Sequence, residues 1–200
     1  MTELEMAIFQ GYTENLGNEL ARLLPVLNSS PYYEKAVEML VSCREAGNRI
    51  HVSGIGKPHY LAGYFASLLS SIGYPAYLLD GTEATHGSSG QVVPGDVAVM
   101  ISYYGNPQEL VKTAATLKKL GTRMIAVTGF DLSPIAKMAD VHLNVYVPRE
   151  GDPLGKPPRL SMLITMICLQ NLSVLLQGKR NLTLEDYIQW HPNGEIGNCI

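Results

Sequence analysis

Five times between residues 49 and 147, a short apolar run gives way to a stretch with helical spacing, and this alternation leaves few folds open. The runs are Arg49 to Gly54, Ala76 to Leu79, Asp96 to Ser102, Arg123 to Thr128 and Val141 to Val147. Nearly every interior residue of Asp96 to Ser102 is apolar, as in a parallel strand covered on both faces. Helical stretches are expected at Lys57–Ile72, Pro107–Leu120, Pro134–Met138, Ser161–Leu176 and Leu184–Trp190. Strands alternating with helices predict an α/β fold, a three-layer sandwich with a five-stranded parallel sheet flanked by helices. Ligands then bind at the carboxyl ends of the strands, near a switch in strand order.

The segment before residue 47 reads as two helices. Leu16, Leu20, Leu23, Leu24 and Leu27 recur at helical spacing, and Pro25 is expected to kink or end the first helix. Ser30-Pro31 reads as a cap followed by proline at the first helical position, with a stop at Ala46-Gly47. The 200 residues suit one domain, with helices over 1–46 and the α/β core with its C-terminal helices over 47–200.

Composition removes several function classes. Fifteen Lys and Arg against 18 Asp and Glu leave a net charge of −3, and no basic stripe marks a nucleic-acid binder. Cys43, Cys168 and Cys199 are scattered, which fits neither a disulfide framework nor a cysteine-rich zinc site. The acidic start MTELEMAIFQ is not a secretory signal, and the apolar stretch Leu160–Leu176 is interrupted by Gln170 and Asn171. The expectation is a cytoplasmic protein with no membrane partner.

The residues after each strand carry the chemistry. Gly54-Ile55-Gly56-Lys57-Pro58 lets backbone approach a ligand before a helix N-terminus. His51 and Pro58 break a Walker A reading, and His59 breaks a dinucleotide fingerprint. Glu83 and His86 lie three apart in a polar loop, where one helical turn would face both to one pocket, although ordinary loop polarity is the simpler account of both. Asn106, Pro107 and Glu109 read as N-cap, first helical residue and third, a capping box that would give Glu109 a purely structural job. The run Pro148–Arg159, with four prolines and two glycines, is a loop of the long kind that often carries function. His191 is either a turn histidine or a group titrating near neutrality.

In this order the motifs resemble the sugar isomerase (SIS) domain, and more narrowly the arabinose-5-phosphate isomerases. The resemblance runs through Gly54-Ile55-Gly56-Lys57, Glu83-Ala84-Thr85-His86-Gly87, the loop Ser102–Gly105 with Glu109, Glu150 with Pro153-Leu154-Gly155, and His191-Pro192-Asn193-Gly194-Glu195-Ile196-Gly197. It implies aldose–ketose interconversion of a sugar phosphate through an enediol, with no metal and no cofactor. Lys57 would stabilise the enediolate, Glu109 and Glu150 would move protons, and His191 would open the sugar ring. Gly54, Gly56, His86, Ser102, Tyr103, Tyr104, Gly105, Arg159 and Ser161 would bind substrate. A homodimer or homotetramer is implied, with His191 reaching a neighbour's site, as is a bare catalytic domain without the paired cystathionine-β-synthase-type repeats of many members.

The chain departs from the resembled pattern at the phosphate loop. Tyr103-Tyr104-Gly105-Asn106-Pro107 replaces a serine-rich run, and Pro107 removes a backbone N–H. Pro58 and His59 replace the serine that normally follows the lysine, and the polar opening of the long helix is reduced to Arg159-Leu160-Ser161. The tyrosine hydroxyls, Arg159 and Lys57 are candidates to compensate. A non-catalytic module that binds a sugar phosphate, and a different SIS chemistry such as deamination or a lyase reaction, are the alternatives to an isomerase.

Overall fold

The computed structural model describes residues 1–191. Two helices, α1 (Glu3–Asn28) and α2 (Tyr32–Glu45), precede β1 (Ile50–Gly54), α3 (Lys57–Ser71) and β2 (Ala76–Leu78). Two 3₁₀ turns (Glu83–His86 and Ser88–Gln91) lead to β3 (Val97–Ile101), α4 (Gln108–Lys119), β4 (Arg123–Thr128), α5 (Pro134–Met138) and β5 (Val141–Asn144). Helices α6 (Leu160–Arg180) and α7 (Leu184–Gln189) follow.

All five strands pair in parallel, in the order β2-β1-β3-β4-β5. Their alternate side chains feed two cores. Val97, Val99 and Ile101 of β3 join Ile50, Val52 and residues of α2, α3 and α6 on one face. Ala98 and Met100 join Leu110, Ala114 and Leu117 of α4 and Ile135 of α5 on the other. Strands buried on both faces need the near-continuous apolar runs that the sequence carries. Helix α6 is the one described helix long and apolar enough to cross a membrane, and half of it is buried in this core.

Three local expectations are corrected. Pro25 does not end α1, which continues to Asn28. Pro31 is the cap of α2 rather than its first residue, and Ser30 makes no side-chain capping bond. The fifth strand ends at Asn144, where the Asn144 side chain accepts the Tyr146 N–H (2.8 Å) and turns the chain. Thr2 and Glu5 form a capping box at the start of α1.

The amino ends of β1 and β3 are held by one buried carboxylate. Asp96, fully buried, accepts from the Arg49 N–H (2.9 Å), the Asn48 amide (3.1 Å) and the Val93 N–H (3.0 Å), and pairs with His51 Nε2 at 2.9 Å. Burial alone would raise the Asp96 pKa, but the Val93, Arg49, Asn48 and His51 bonds outweigh it and hold the carboxyl below its ordinary range. Because the folded pKa is depressed, its stabilising contribution is full above the unfolded value of about 3.9 and fades as pH falls through the lower folded value. Asp96→Ala strands all four partners, so urea unfolding near neutral pH is expected to show a loss of about 3–5 kcal/mol, and the deficit should shrink in strong acid.

Candidate functional site

The strand order reverses between β1 and β3, with β2 on one side and β3, β4 and β5 on the other. The loops leaving β1 and β3 therefore diverge, and the crevice at their carboxyl ends is where an open parallel sheet binds ligands.

Glycines shape the β1 loop. A Cβ on Gly54 would lie 2.8 Å from the Pro58 carbonyl group, and Gly56 has a φ of +68° that side chains rarely adopt. Gly56 caps α3 with no side-chain hydrogen bond, and Lys57, the first helical residue, is exposed. Beside this loop lies a cavity of about 250 Å³ lined by Gly54, Ile55, Gly56, His59, Asp80 and Thr82, among others. Asp80 accepts the Glu83 and Thr82 N–H groups at 2.9 and 2.8 Å and lies 4.0 Å from His59. The Glu83 bond leads in holding the Asp80 carboxyl below its usual range, against burial, with Thr82 and His59 assisting.

At the end of β3, Ser102 is buried and its hydroxyl accepts the Gly105 N–H at 3.1 Å. Gly105 turns at φ +61° against the Ser133 side chain, which leaves no room for a Cβ. The Tyr103 hydroxyl donates to the Val147 carbonyl (2.7 Å) and accepts the Val147 N–H (3.3 Å). Burial raises the pKa of this phenol, and Glu150 is among the nearby charges that add to the rise. Tyr103 therefore braces the loop and is not a free donor.

The capping box at Glu109 does not form. Pro107, extended at ψ 128°, is itself the N-cap of α4 and makes no side-chain bond. A residue before proline is pushed toward extended backbone, which keeps Asn106 outside the helix. Glu109 sits exposed in the first turn, and its carboxylate is not tied to the cap.

Glu150, 8% exposed, accepts the Arg159 N–H at 2.7 Å and the Ser161 N–H at 3.1 Å. It thus satisfies the start of α6 from the loop that leads into the helix, where the helix dipole also favours an anion. Helices α3 and α6 run side by side in the same direction: Gln170 bonds Tyr64 at 3.0 Å, and Arg180 bonds the Ile72 carbonyl at 2.6 Å. Their N-termini, Lys57 on one and Ser161 with Glu150 on the other, accordingly meet at the same edge of the sheet.

Two expected site residues, Arg159 and His191, are engaged by other groups, and a third, His86, stays exposed. The Arg159 guanidinium pairs with Asp152 (3.2 Å) and covers the Tyr12 ring of α1 at 5.9 Å. His86 is exposed on its 3₁₀ turn, as is Glu83. His191 stacks on Tyr187 (4.1 Å between ring centroids), and its Nδ1 lies 2.8 Å from the Tyr187 carbonyl oxygen. Next to it Trp190 packs over Gly73 and under Arg180, at the far end of α3. A 15-residue helix spans about 22 Å, so His191 is near the opposite edge from Lys57 of its own chain. The remaining motif residues 192–197 lie outside the described residues.

Two features escape a reading of the sequence. His59 and Asp80 share a rim, although the sequence marks His59 as a break in a fingerprint and a departure from the resembled lysine loop. Phe130 and Tyr146 join Tyr103 and Tyr104 in one aromatic cluster. Nothing in the spacing of residues on three different loops announces such a cluster. A larger cleft of about 820 Å³ between the α1–α2 junction and the ends of β4 and β5 shares Phe130 and Tyr146 but holds no sequence-predicted site residue.

The sheet is open and parallel, and glycines shape the loops that leave β1 and β3 at its switch point. The family model for the SIS domain matches residues 44–174, and the chain belongs to that family. It is 33% identical over 168 residues to the arabinose 5-phosphate isomerase KdsD of Pseudomonas aeruginosa, and 34% identical over 181 residues to KdsD of Escherichia coli K12. These alignments cover 84% and 90% of this chain, which spans about half the length of these curated relatives (51% and 54%). Among solved structures, an E. coli CFT073 protein in complex with arabinose 5-phosphate superposes with a TM-score of 0.84 at 27% identity, covering 96% of this chain and all of that one. A Listeria monocytogenes chain reaches 0.88 at 28% identity over 96% of this chain and all of that one.

Glu150→Ala removes the acceptor at the start of α6 and is expected to cost about 0.5–2 kcal/mol in urea unfolding. Glu150→Gln keeps an oxygen there and should lose less, which separates the helix-capping duty of this residue from any chemical one.

Proposed function

We propose that the chain is a sugar-phosphate isomerase that interconverts an aldose and a ketose through an enediol, with arabinose 5-phosphate and ribulose 5-phosphate, or a related phosphosugar, as the pair. The observation that carries this reading is the placement of Lys57, Glu109 and Glu150 at the carboxyl edge of the sheet, with Glu109 untied. One carboxylate takes the proton from the carbon next to the carbonyl and returns it to the neighbouring carbon. The hydroxyl proton moves in the same sense, from the oxygen on the first carbon to the former carbonyl oxygen, so substrate and product are isomers. Lys57 stabilises the negative oxygen of the enediolate. The names of the relatives and the arabinose 5-phosphate complex support the substrate class. Phosphorylated sugars are charged and are retained inside cells, so the reading carries a cytoplasmic setting.

In this reading the chain works as a homo-oligomer, a dimer or tetramer in which His191 of another copy opens the sugar ring. The support is the distance of His191 from Lys57 within one chain. A second reading, a module that binds a sugar phosphate without turnover, draws on the rebuilt loop Ser102–Pro107.

Proton NMR in deuterium oxide with pentose, hexose and heptose phosphates tests both. Isomerase action exchanges solvent deuterium into C1 or C2 of one sugar, whereas a binder raises the melting temperature without exchange. Replacing the true base, by Glu109→Gln or Glu150→Gln, should slow exchange by about 10²–10⁴. Wild-type exchange rates in both variants would sink the assignment. If His191 acts across copies, specific activity on ring-closed substrate falls on dilution through the dissociation range.

A further inference from the structure

The cavity beside the β1 loop is lined by Gly54 and Gly56 and by two polar side chains that take no part in the proton transfer proposed above, His59 and Asp80. Asp80 follows β2, and His59 lies in the first turn of α3. His59 Nδ1 stands 4.0 Å from Asp80 Oδ2, too far for a hydrogen bond between them. Among the described residues, neither Asp80 Oδ2 nor either ring nitrogen of His59 has a hydrogen-bond partner. Both side chains are open to a ligand, at 30% and 47% exposure. His59 is also a residue at which this chain departs from the resembled lysine loop.

The carboxylate is set firmly. Its Oδ1 accepts the Thr82 and Glu83 N–H groups at 2.8 and 2.9 Å. The Asp80 carbonyl accepts the Ala84 N–H (2.9 Å), and the Gly81 carbonyl accepts the Thr113 hydroxyl of α4 (2.6 Å). A Cβ on Gly81 would stand 2.8 Å from the Ile55 side chain and 3.2 Å from the Ser53 hydroxyl, so the turn is pressed against β1 and its loop. With the Glu83 N–H foremost in holding its pKa down, Asp80 is ionised at neutral pH and only accepts. The His59 nitrogen that faces this carboxylate is the one that carries a proton. One oxygen about 2.7–2.9 Å from each of the two groups bridges them and sees them about 90° apart. An alcohol hydroxyl both donates and accepts, so it satisfies the pair. A phosphoryl oxygen carries negative charge, which the carboxylate repels.

We propose that His59 and Asp80 clamp one alcohol hydroxyl on the carbon chain of the substrate and select among phosphosugars by the place of that hydroxyl. This rests on the sugar-phosphate reading above. Residues two apart on a helix do not face each other, so His59 and Lys57 engage different parts of one sugar. The clamped hydroxyl is therefore one that does not react, and the pair determines specificity.

The test uses the sugar phosphate that exchanges in deuterium oxide and its analogues lacking single hydroxyls beyond carbon 2. In the wild type, one analogue should show a KM about tenfold above the parent sugar, the worth of one hydrogen bond to a charged group. Asp80→Asn keeps the oxygen that holds the turn but leaves the hydroxyl hydrogen without an acceptor, and His59→Ala removes the donor. Each should raise the parent's KM about tenfold, move kcat far less and bring the ratio of analogue to parent KM toward one. His59→Gln, which keeps an N–H donor, should recover part of the discrimination. A distorted loop would raise both KM values together, so a ratio unchanged in D80N and H59A overturns the proposal and leaves the isomerase reading intact. Equal KM for the parent and every analogue in the wild type overturns it as well. If the wild type exchanges no sugar, the isomerase reading fails and the readout becomes thermal stabilisation by arabinose 5-phosphate. Stabilisation that D80N and H59A weaken, and that one deoxy analogue fails to give, keeps the clamp. Stabilisation unchanged in both variants, or absent in the wild type, overturns it.

Discussion

The parallel pairing of β1 with β3, in register from Ile50 and Val97 to Gly54 and Ile101, is the constraint on which the site depends. Every other strand is placed relative to this pair, with β2 outside β1 and β4 and β5 outside β3. The pair is fixed hardest at its amino end, where Asp96 ties the approach to β1 to the approach to β3 through four partners. With register locked there, Gly54 and Ile101 must end level at the other edge. The loops that follow are free to take conformations that only glycine tolerates.

The two edges satisfy their backbone groups differently. Among the described helices that begin at the carboxyl edge, only the short α5 is capped by its own N-cap side chain, Ser133. Helices α3, α4 and α6 begin without one. Away from this edge, α1 and α7 carry complete capping boxes. Unpaired N–H groups at a helix start attract anions, and at α6 the chain itself supplies the anion in Glu150. At α3 and α4 no N-cap side chain takes these donors.

Much of this is legible in the sequence because periodicity and burial are local signals. The apolar runs mark the strands, and their alternation with helices marks a parallel sheet. The positions of Lys57, Glu109 and Glu150 just beyond strands follow from the same reading. What is not legible depends on geometry across the sheet. Asn106 and Pro107 do not serve as cap and first helical residue, because proline restricts its predecessor. The phenol of Tyr103 has the chemistry of a ligand group, but Val147, 44 residues away in sequence, engages it. Arg159 has the charge to meet a phosphate, yet its partners Asp152 and Tyr12 arrive from a loop and from the first helix.

Helix α6 connects these observations. It is long and apolar, and its buried face covers the same side of the sheet as α2 and α3. Its first turn rests on Glu150, and its last turn carries Arg180, whose guanidinium holds the Ile72 carbonyl and lies 4.4 Å from the Trp190 ring. The same rigid element therefore fixes a carboxylate at one edge of the sheet and orients the segment bearing His191 at the other. A packed helix of 21 residues does not bend to bring its ends together, so the separation of Glu150 from His191 is set by the core and not by the loops. Under the proposed isomerase reading, chemistry that uses both groups at one sugar draws them from different copies of the chain.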